Sequence, residues 1–259
     1  MEFSKWQGTG NDFVVVDDRD GAFPTDDMDV IRRLCDRHFG IGSDGLILLQ
    51  PPKQDGNTFY MEFFNPDGSK SFCGNGSRCA FAFWSSLTGA RRARFSAVDG
   101  AHEGQWDVGL VSISLGFEGR VSRAVDGPDV DFLNNGSPHE LVWVQDPALV
   151  DVIAEGRSRR HAERNGPGGS NVNFVCIDGG AVRMRTYERG VEAETLSCGT
   201  GVVAAAISAL DRKHVEAPVS VITNGGELTV RAERRSDGTF GSIRLIGPAR
   251  EVFTGTIKI

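Results

Sequence analysis

Apolar residues recur along this chain at two spacings, one that suits strands and one that suits helices. Phe13-Val14-Val15-Val16 is a short apolar run behind the polar loop 7–12, and it predicts a strand. Thr25-Asp26-Asp27 offers an N-cap, after which Met28, Ile31, Leu34 and Cys35 fall at helical spacing; this helix is expected to end near His38-Phe39-Gly40. Strands are predicted at 46–49 and 58–64, separated by Pro51-Pro52, and Asn65-Pro66-Asp67-Gly68 reads as a turn. A helix over 77–88 with Gly89 as its stop comes next, then strand-like runs at 94–98, 103–106 and 110–115.

The second half repeats this rhythm. It offers a strand at 140–144, a helix at 147–154, and a hairpin of 171–177 with 181–187 around Asp178-Gly179-Gly180. A helix from Val202 to about Arg212 follows, then strands at 219–222, 228–231 and 242–245, with 256–259 returning to the first half. An internal duplication accounts for this order. The expected class is α+β, with two pseudo-symmetric domains. The first spans 1–116, joined by a C-terminal strand within 248–259; the second spans 117–247. Each is expected to wrap a curved, barrel-like mixed or antiparallel sheet around one central helix. Ala80, Ala82 and Phe83, and again Val203 to Ala206, make those two helices apolar nearly all round, which predicts burial. An active site is expected in the cleft between the domains, where the two helix N-termini converge.

Composition narrows the function. A net charge of -7 argues against a nucleic-acid partner, which would need a basic patch. No apolar run approaches the ~20 residues of a membrane span, and the start at Met1-Glu2-Phe3 does not read as a signal peptide, so a cytoplasmic location is expected. The five cysteines are odd in number and widely spread, which points to thiols rather than a disulfide framework.

Two of those thiols stand in the same local sequence. Cys73-Gly74-Asn75-Gly76 and Cys198-Gly199-Thr200-Gly201 each precede a small-residue helix. A thiol at a helix N-terminus meets unpaired N–H groups and the positive end of the macrodipole, and both favour its thiolate. Two such groups in equivalent halves suit inversion of a carbon acid: one thiolate removes a proton and one thiol supplies another from the opposite face. The N–H groups of Gly74-Asn75 and Gly199-Thr200 are candidate donors to a substrate carboxylate.

Other readings are weaker. Cys35, Cys176 and Cys79 read as small core residues. A Cys73–Cys79 disulfide conflicts with a reducing compartment, and a zinc site from Cys73, Cys79, Cys198 and His139 lacks closely paired ligands, so no metal is expected. Gly40, Gly42 and Gly45 do not form a dinucleotide fingerprint, and no lysine stands in a context that argues for pyridoxal phosphate.

Five segments in order carry a family resemblance: Gly8-Thr9-Gly10-Asn11-Asp12-Phe13; Phe64-Asn65-Pro66-Asp67-Gly68-Ser69; Cys73 to Cys79; Ser170-Asn171-Val172-Asn173-Phe174; and Glu188-Arg189-Gly190 through Cys198-Gly199-Thr200-Gly201. Together they resemble the diaminopimelate epimerases, which interconvert LL- and meso-diaminopimelate for lysine and peptidoglycan precursors without a cofactor. The resemblance implies Cys73 and Cys198 as the two acid/base groups, with Gly74, Asn75, Gly199 and Thr200 at the reacting end of the substrate. It implies Arg189 on the distal carboxylate, Glu188 on the distal ammonium, and Asn11, Asn65 and Asn171 as further binding residues. It also implies a homodimer, and loss of activity if Cys73 and Cys198 oxidise to a disulfide. His139 falls in Gly136-Ser137-Pro138-His139, where many relatives have Gly-Asn-Pro-His; Ser137 is a departure whose shorter reach favours a water-mediated contact. Gly45 stands where some relatives have glutamine, and no role is assigned to it. Two other functions fit less well: a racemase of the same fold acting on proline or hydroxyproline, and a thiol protein that binds metal or senses redox state.

Overall fold

Strands covered on both faces read as unbroken apolar runs, and this explains the Val- and Leu-rich segments of the first half. The computed structural model describes Met1–Ile259. The first half runs β1 (Glu2–Gly8), β2 (Asn11–Asp17), α1 (Met28–Cys35), β3 (Gly45–Gln50), β4 (Phe59–Phe64), α2 (Gly74–Thr88), β5 (Arg92–Ala97), β6 (Gly100–Asp107) and β7 (Leu110–Leu115). The second runs β8 (Val130–Asn134), β9 (Pro138–Trp143), α3 (Val152–Arg160), β10 (Asn171–Asp178), β11 (Ala181–Glu188), β12 (Ala193–Thr195), α4 (Gly199–Asp211), β13 (Val219–Thr223), β14 (Gly226–Arg234), β15 (Phe240–Gly247) and β16 (Arg250–Thr256). Two compact units result: Met1–Gly116 with Gly247–Ile259, and Phe117–Ile246.

In the first unit the strand order is β16-β1-β2-β3-β4-β5-β6-β7. Only β2–β3 and β4–β5 pair in parallel, and these are the two pairs joined through a helix. Helix α2 packs against β1, β2, β3, β4, β6, β7 and β16, so the sheet curves around it. Phe13, Val15, Ile47 and Leu49 point to the α2 side, while Val14, Val16, Leu46 and Leu48 pack with Ile31, Leu34 and Cys35 of α1 on the other. The period-2 alternation of a strand thus feeds two cores at once.

The second unit repeats the plan. Its order is β15-β14-β13-β11-β10-β9-β8, with β12 paired to β11. The parallel pairs are β9–β10 and β11–β13, again the helix-linked ones. Helix α4 packs against β8, β9, β10, β11, β13 and β14. Hairpin, parallel step, hairpin, parallel step and meander therefore occur in the same order in both units. The fold is α+β and pseudo-symmetric, as the repeated sequence rhythm predicts.

Strands β1, β8 and β12 have no counterpart in the sequence reading, and three of the boundaries differ from it in an informative way. Helix α1 ends at Cys35 rather than near Gly40, because Asp36 turns to an extended conformation and its Oδ1 accepts from the N–H groups of His38 and Phe39. The helix expected over 147–154 splits into a 3₁₀ turn at Pro147–Leu149 and α3, which runs on to Arg160. Asp151 caps α3 through Ala154 N–H, and Gly156 lets the helix lie close to β11, since a Cβ there would lie 2.4 Å from Tyr187. The C-terminal strand pairs antiparallel with β1 over 250–256, earlier than the 256–259 read in sequence.

Candidate active site

Both cysteines cap the central helix of their unit. Cys73 (φ -129°, ψ 111°) and Cys198 (φ -107°, ψ 110°) hold nearly the same extended N-cap conformation. Each carbonyl accepts the first helical hydrogen bond, from Ser77 at 2.8 Å and from Val202 at 2.9 Å. All five cysteines are thiols. By their place in the first turn, the N–H groups of Gly74, Asn75, Gly199 and Thr200 lie outside the intrahelical ladder.

Around Cys73, Gly76 N–H donates to Sγ at 3.3 Å, and Sγ stands 3.8 Å from Asn11 Oδ1. Asn75 Nδ2 donates to the same Asn11 oxygen at 3.2 Å. Asn11 is oriented from behind, because its Nδ2 donates to Asp44 at 2.7 Å. Arg37 bridges Asp44 and Asp12, and Lys5 meets Asp12 at 2.7 Å. Burial opposes the Asp12 charge, but the bonds from Arg37 and Lys5 outweigh it and hold the carboxyl at about 2. Asn65 bonds within its own turn, from Nδ2 to Ser69 O, Ser69 Oγ and Ser71 Oγ. Gly45 opens β3 where a side chain would lie 2.4 Å from the Phe63 ring, so packing accounts for this glycine.

Arg78 adds a buried charge in the first turns of α2 itself. Its guanidinium is fully buried, yet its partners are the neutral oxygens of Pro248, Gly74 and Thr9 at 3.3–3.4 Å. Burial lowers it to about 10, and charge on Cys79 or Cys73 would raise it again. Burial also pushes the Cys79 thiol up to about 12, so Cys79 stays neutral. A thiolate at Cys73 is therefore the anion this guanidinium favours.

Around Cys198, Thr200 Oγ1 lies 3.5 Å from Sγ and 2.9 Å from His139 Nε2. His139 Nδ1 faces Asn173 Nδ2 at 3.2 Å. Asn171 donates to Ser137 Oγ and Pro138 O, both at 2.9 Å, and accepts from Arg189 N–H at 2.9 Å. It thereby ties the backbone of Arg189 to the 137–138 segment. The Arg189 side chain is exposed. Glu188 accepts from Thr195 Oγ1 at 2.7 Å.

His139 is fully buried; burial, helped by the charge of Arg189, lowers it from 6.5 to about 3. The folded chain thus keeps it neutral where the unfolded chain protonates it. Its contribution to stability is complete above pH 6.5 and is lost as pH falls toward 3. From pH 7 to pH 5 this term removes about 2 kcal/mol. Thermal melts at both pH values should show that much more loss in the wild type than in His139→Asn. Equal slopes in the two proteins would show that His139 is protonated in the folded chain.

The model of the diaminopimelate epimerase family matches residues 3–107 and 132–250. The chain belongs to the diaminopimelate epimerase family. The diaminopimelate epimerase of Flavobacterium psychrophilum is 40% identical, over 99% of this chain and 100% of its own. That of Aquifex aeolicus is 41% identical, over 100% and 98%. Among solved structures, a Bacillus anthracis phenazine biosynthesis protein of the PhzF family superposes with a TM-score of 0.76 at 13% identity, covering 100% of this chain and 99% of its own. A hydroxyproline epimerase of Agrobacterium vitis superposes at 0.75 and 16% identity, covering 99% and 90%. These two likenesses establish the fold.

Family membership makes the chain an isomerase of the epimerase type whose chemistry is carried by cysteine. No three His, Cys, Asp or Glu side chains are grouped to hold a metal ion, and no helix is long and apolar enough to cross a membrane. The structure also brings in residues to which sequence assigned no role: Asp44 behind Asn11, Arg78 in the first turns of α2, and Asn173 with Thr186 behind His139. Asn135 is another; it donates to Thr200 O at 2.8 Å and leaves its buried Oδ1 without a partner. A signal existed for Asn173, because strand alternation places it on the same face as Asn171.

Proposed function

We propose that this chain interconverts LL- and meso-diaminopimelate without a cofactor, using Cys73 and Cys198 as the thiolate/thiol pair. The observation that carries this reading is the matched placement of the two cysteines as N-caps of the two central helices. In one direction the thiolate of one cysteine takes the α-proton and the thiol of the other delivers a proton to the opposite face. Afterwards the protonation states of the pair are exchanged. The carbanion formed between these events is the costly species. First-turn N–H groups of Gly74, Asn75, Gly199 and Thr200 hold the α-carboxylate and spread that charge. Arg189 forks onto the distal carboxylate, and Glu188 receives the distal ammonium.

Two features support the choice of substrate. Relatives 40% and 41% identical over nearly their whole length are diaminopimelate epimerases. The guanidinium of Arg189 is exposed on a backbone that Asn171 holds in place, which suits capture of a second carboxylate. The same reading includes Asn11 and Asn65 as binding residues, His139 and Ser137 beside the site, and work in the cytoplasm toward lysine and peptidoglycan precursors. It also includes a homodimer, for which the outer edge of β16, with Val252 and Phe253 well exposed, offers an apolar surface.

Incubation of LL-diaminopimelate with the protein in D2O tests the reading. We expect meso product and deuterium at the α-carbon in the same time course, with no added cofactor. Absence of both would refute the substrate assignment, and turnover of trans-4-hydroxy-L-proline in a parallel sample would redirect it to an imino acid.

A further inference from the structure

The hydrogen bonds behind Cys198 form a chain whose sense can be read from one end. Asn173 is wholly buried on β10. Its Nδ2 lies 3.0 Å from the carbonyl of Glu140, which can only accept, so this atom of the amide is the nitrogen. Its Oδ1 receives the hydroxyl of Thr186 at 3.0 Å. The other Nδ2 proton points at His139 Nδ1, 3.2 Å away, which must therefore present a lone pair. A neutral imidazole with a bare Nδ1 carries its proton on Nε2. That proton is donated to Thr200 Oγ1 at 2.9 Å. With one lone pair so occupied, the Thr200 hydroxyl can turn its own proton toward Cys198 Sγ, 3.5 Å away. Gly201 leaves the room for this, since a Cβ there would lie 2.6 Å from Asn173 Oδ1.

We propose that Asn173, held by Thr186 and the Glu140 carbonyl, is a positioning residue that fixes the His139 tautomer and so makes the Thr200 hydroxyl a donor to Cys198. The proposal rests on the reading of Cys198 as an acid/base group. It also accounts for a difference between the units: Cys73 receives the N–H of Gly76, whereas Cys198 makes no such capping bond to the first turn of α4. A hydroxyl donor replaces a helix donor, and in both cases the thiolate is the form favoured. Two charges bear on this chain. Arg189 lowers His139 further, and the Glu140 carboxylate is turned away onto Arg159 and Arg164.

Asn173→Asp keeps the shape and reverses the logic, because a carboxylate oxygen beside Nδ1 would draw the imidazole proton to that side. Nε2 would then accept from Thr200 and take the hydroxyl away from sulfur. Asn173→Ala removes the constraint without adding charge. The test is the rate of alkylation by iodoacetamide against pH in the full chain, with Cys73 and Cys198 resolved by peptide mass. In both variants the Cys198 profile should move up by about one pH unit, the scale of one hydrogen bond to an ionised group, while the Cys73 profile stays in place. Thr200→Val should give the same shift and Thr200→Ser should not. An unmoved Cys198 profile in folded Asn173→Asp and Asn173→Ala would overturn the proposal. The wild type supplies an independent check if the variants do not fold: imidazole ¹⁵N shifts should show His139 as the Nε2–H tautomer at pH 7. A proton on Nδ1 there would equally overturn it. Neither measurement involves turnover, so a failure of the diaminopimelate assignment would leave both readouts standing.

Discussion

Cys73→Ala and Cys198→Ala should each lower the rate of diaminopimelate epimerisation by roughly 10²–10⁴-fold, the range that a positioned acid or base contributes. The two losses should be of similar size, because inversion requires a group on each face of the carbon and neither thiol can serve both. The double variant should be little worse than either single one, since residues that act as a unit are not additive. The fold should survive. Each cysteine is an N-cap; replacing a bonded cap such as Cys73 by alanine costs about 1 kcal/mol, and Cys198, which makes no capping bond, has less to lose, so both costs are small beside the packing of α2 and α4 within their sheets. Product formation followed by chiral chromatography, beside thermal melts, separates the two effects. A single variant that keeps more than a tenth of wild-type turnover with an unchanged melt would remove that cysteine from the mechanism.

Glu140→Ala should be the most damaging change to stability. The carboxylate is wholly buried on β9 and is surrounded by donors: Arg159 Nη1 at 3.0 Å, Arg164 Nε and Nη2 at 3.1 and 3.0 Å, and Asn165 Nδ2 at 3.1 Å. These donors come from α3 and from the segment that leads on toward β10, so one side chain ties that crossover to the sheet. Its removal leaves two guanidinium groups facing a space built for an anion. Breaking such a buried pair typically costs 3–5 kcal/mol. For a chain of this size that is roughly 10 °C in melting temperature. Glu140→Gln, which keeps the shape and an acceptor oxygen but not the charge, should fall between. A melt within ~2 °C of wild type for Glu140→Ala would mean that the arginines find solvent at little cost. Because the Glu140 carbonyl also fixes Asn173, a large backbone shift in this variant should reach Cys198 as well.

Charged residues explain most of what sequence reading missed in the fold. Strand β1 carries Lys5, which reads as a solvent residue, yet Lys5 is buried against Asp12 and the carbonyl of Gly42. Strand β8 carries the charged Asp131, yet it is wholly buried and bonded to Arg212, Ser208 and Trp143. In each case the partner lies far along the chain or on another element, so no local pattern reveals that the charge is neutralised. The site behaves in the same way. Arg78 lies inside the Cys73–Cys79 segment, but only its burial among neutral oxygens shows that it favours a thiolate at Cys73.

By itself the sequence determined what depends on neighbours a few residues away. Extended capping at Cys73 and Cys198, the small-residue helices behind them, the left-handed stop at Gly89 and the hairpin at Gly179-Gly180 are all local effects of backbone sterics and i→i+4 bonding. The ordered motifs added the family. Tertiary structure alone decided which strands pair in parallel, how β16 returns to β1, and which side chains are linked in the hydrogen-bond chain that reaches Cys198. Those depend on atoms brought together from residues tens of positions apart. For the neutral His139 the sense of donation is set through Asn173, whose Nδ2 also faces a group that can only accept, the carbonyl of Glu140.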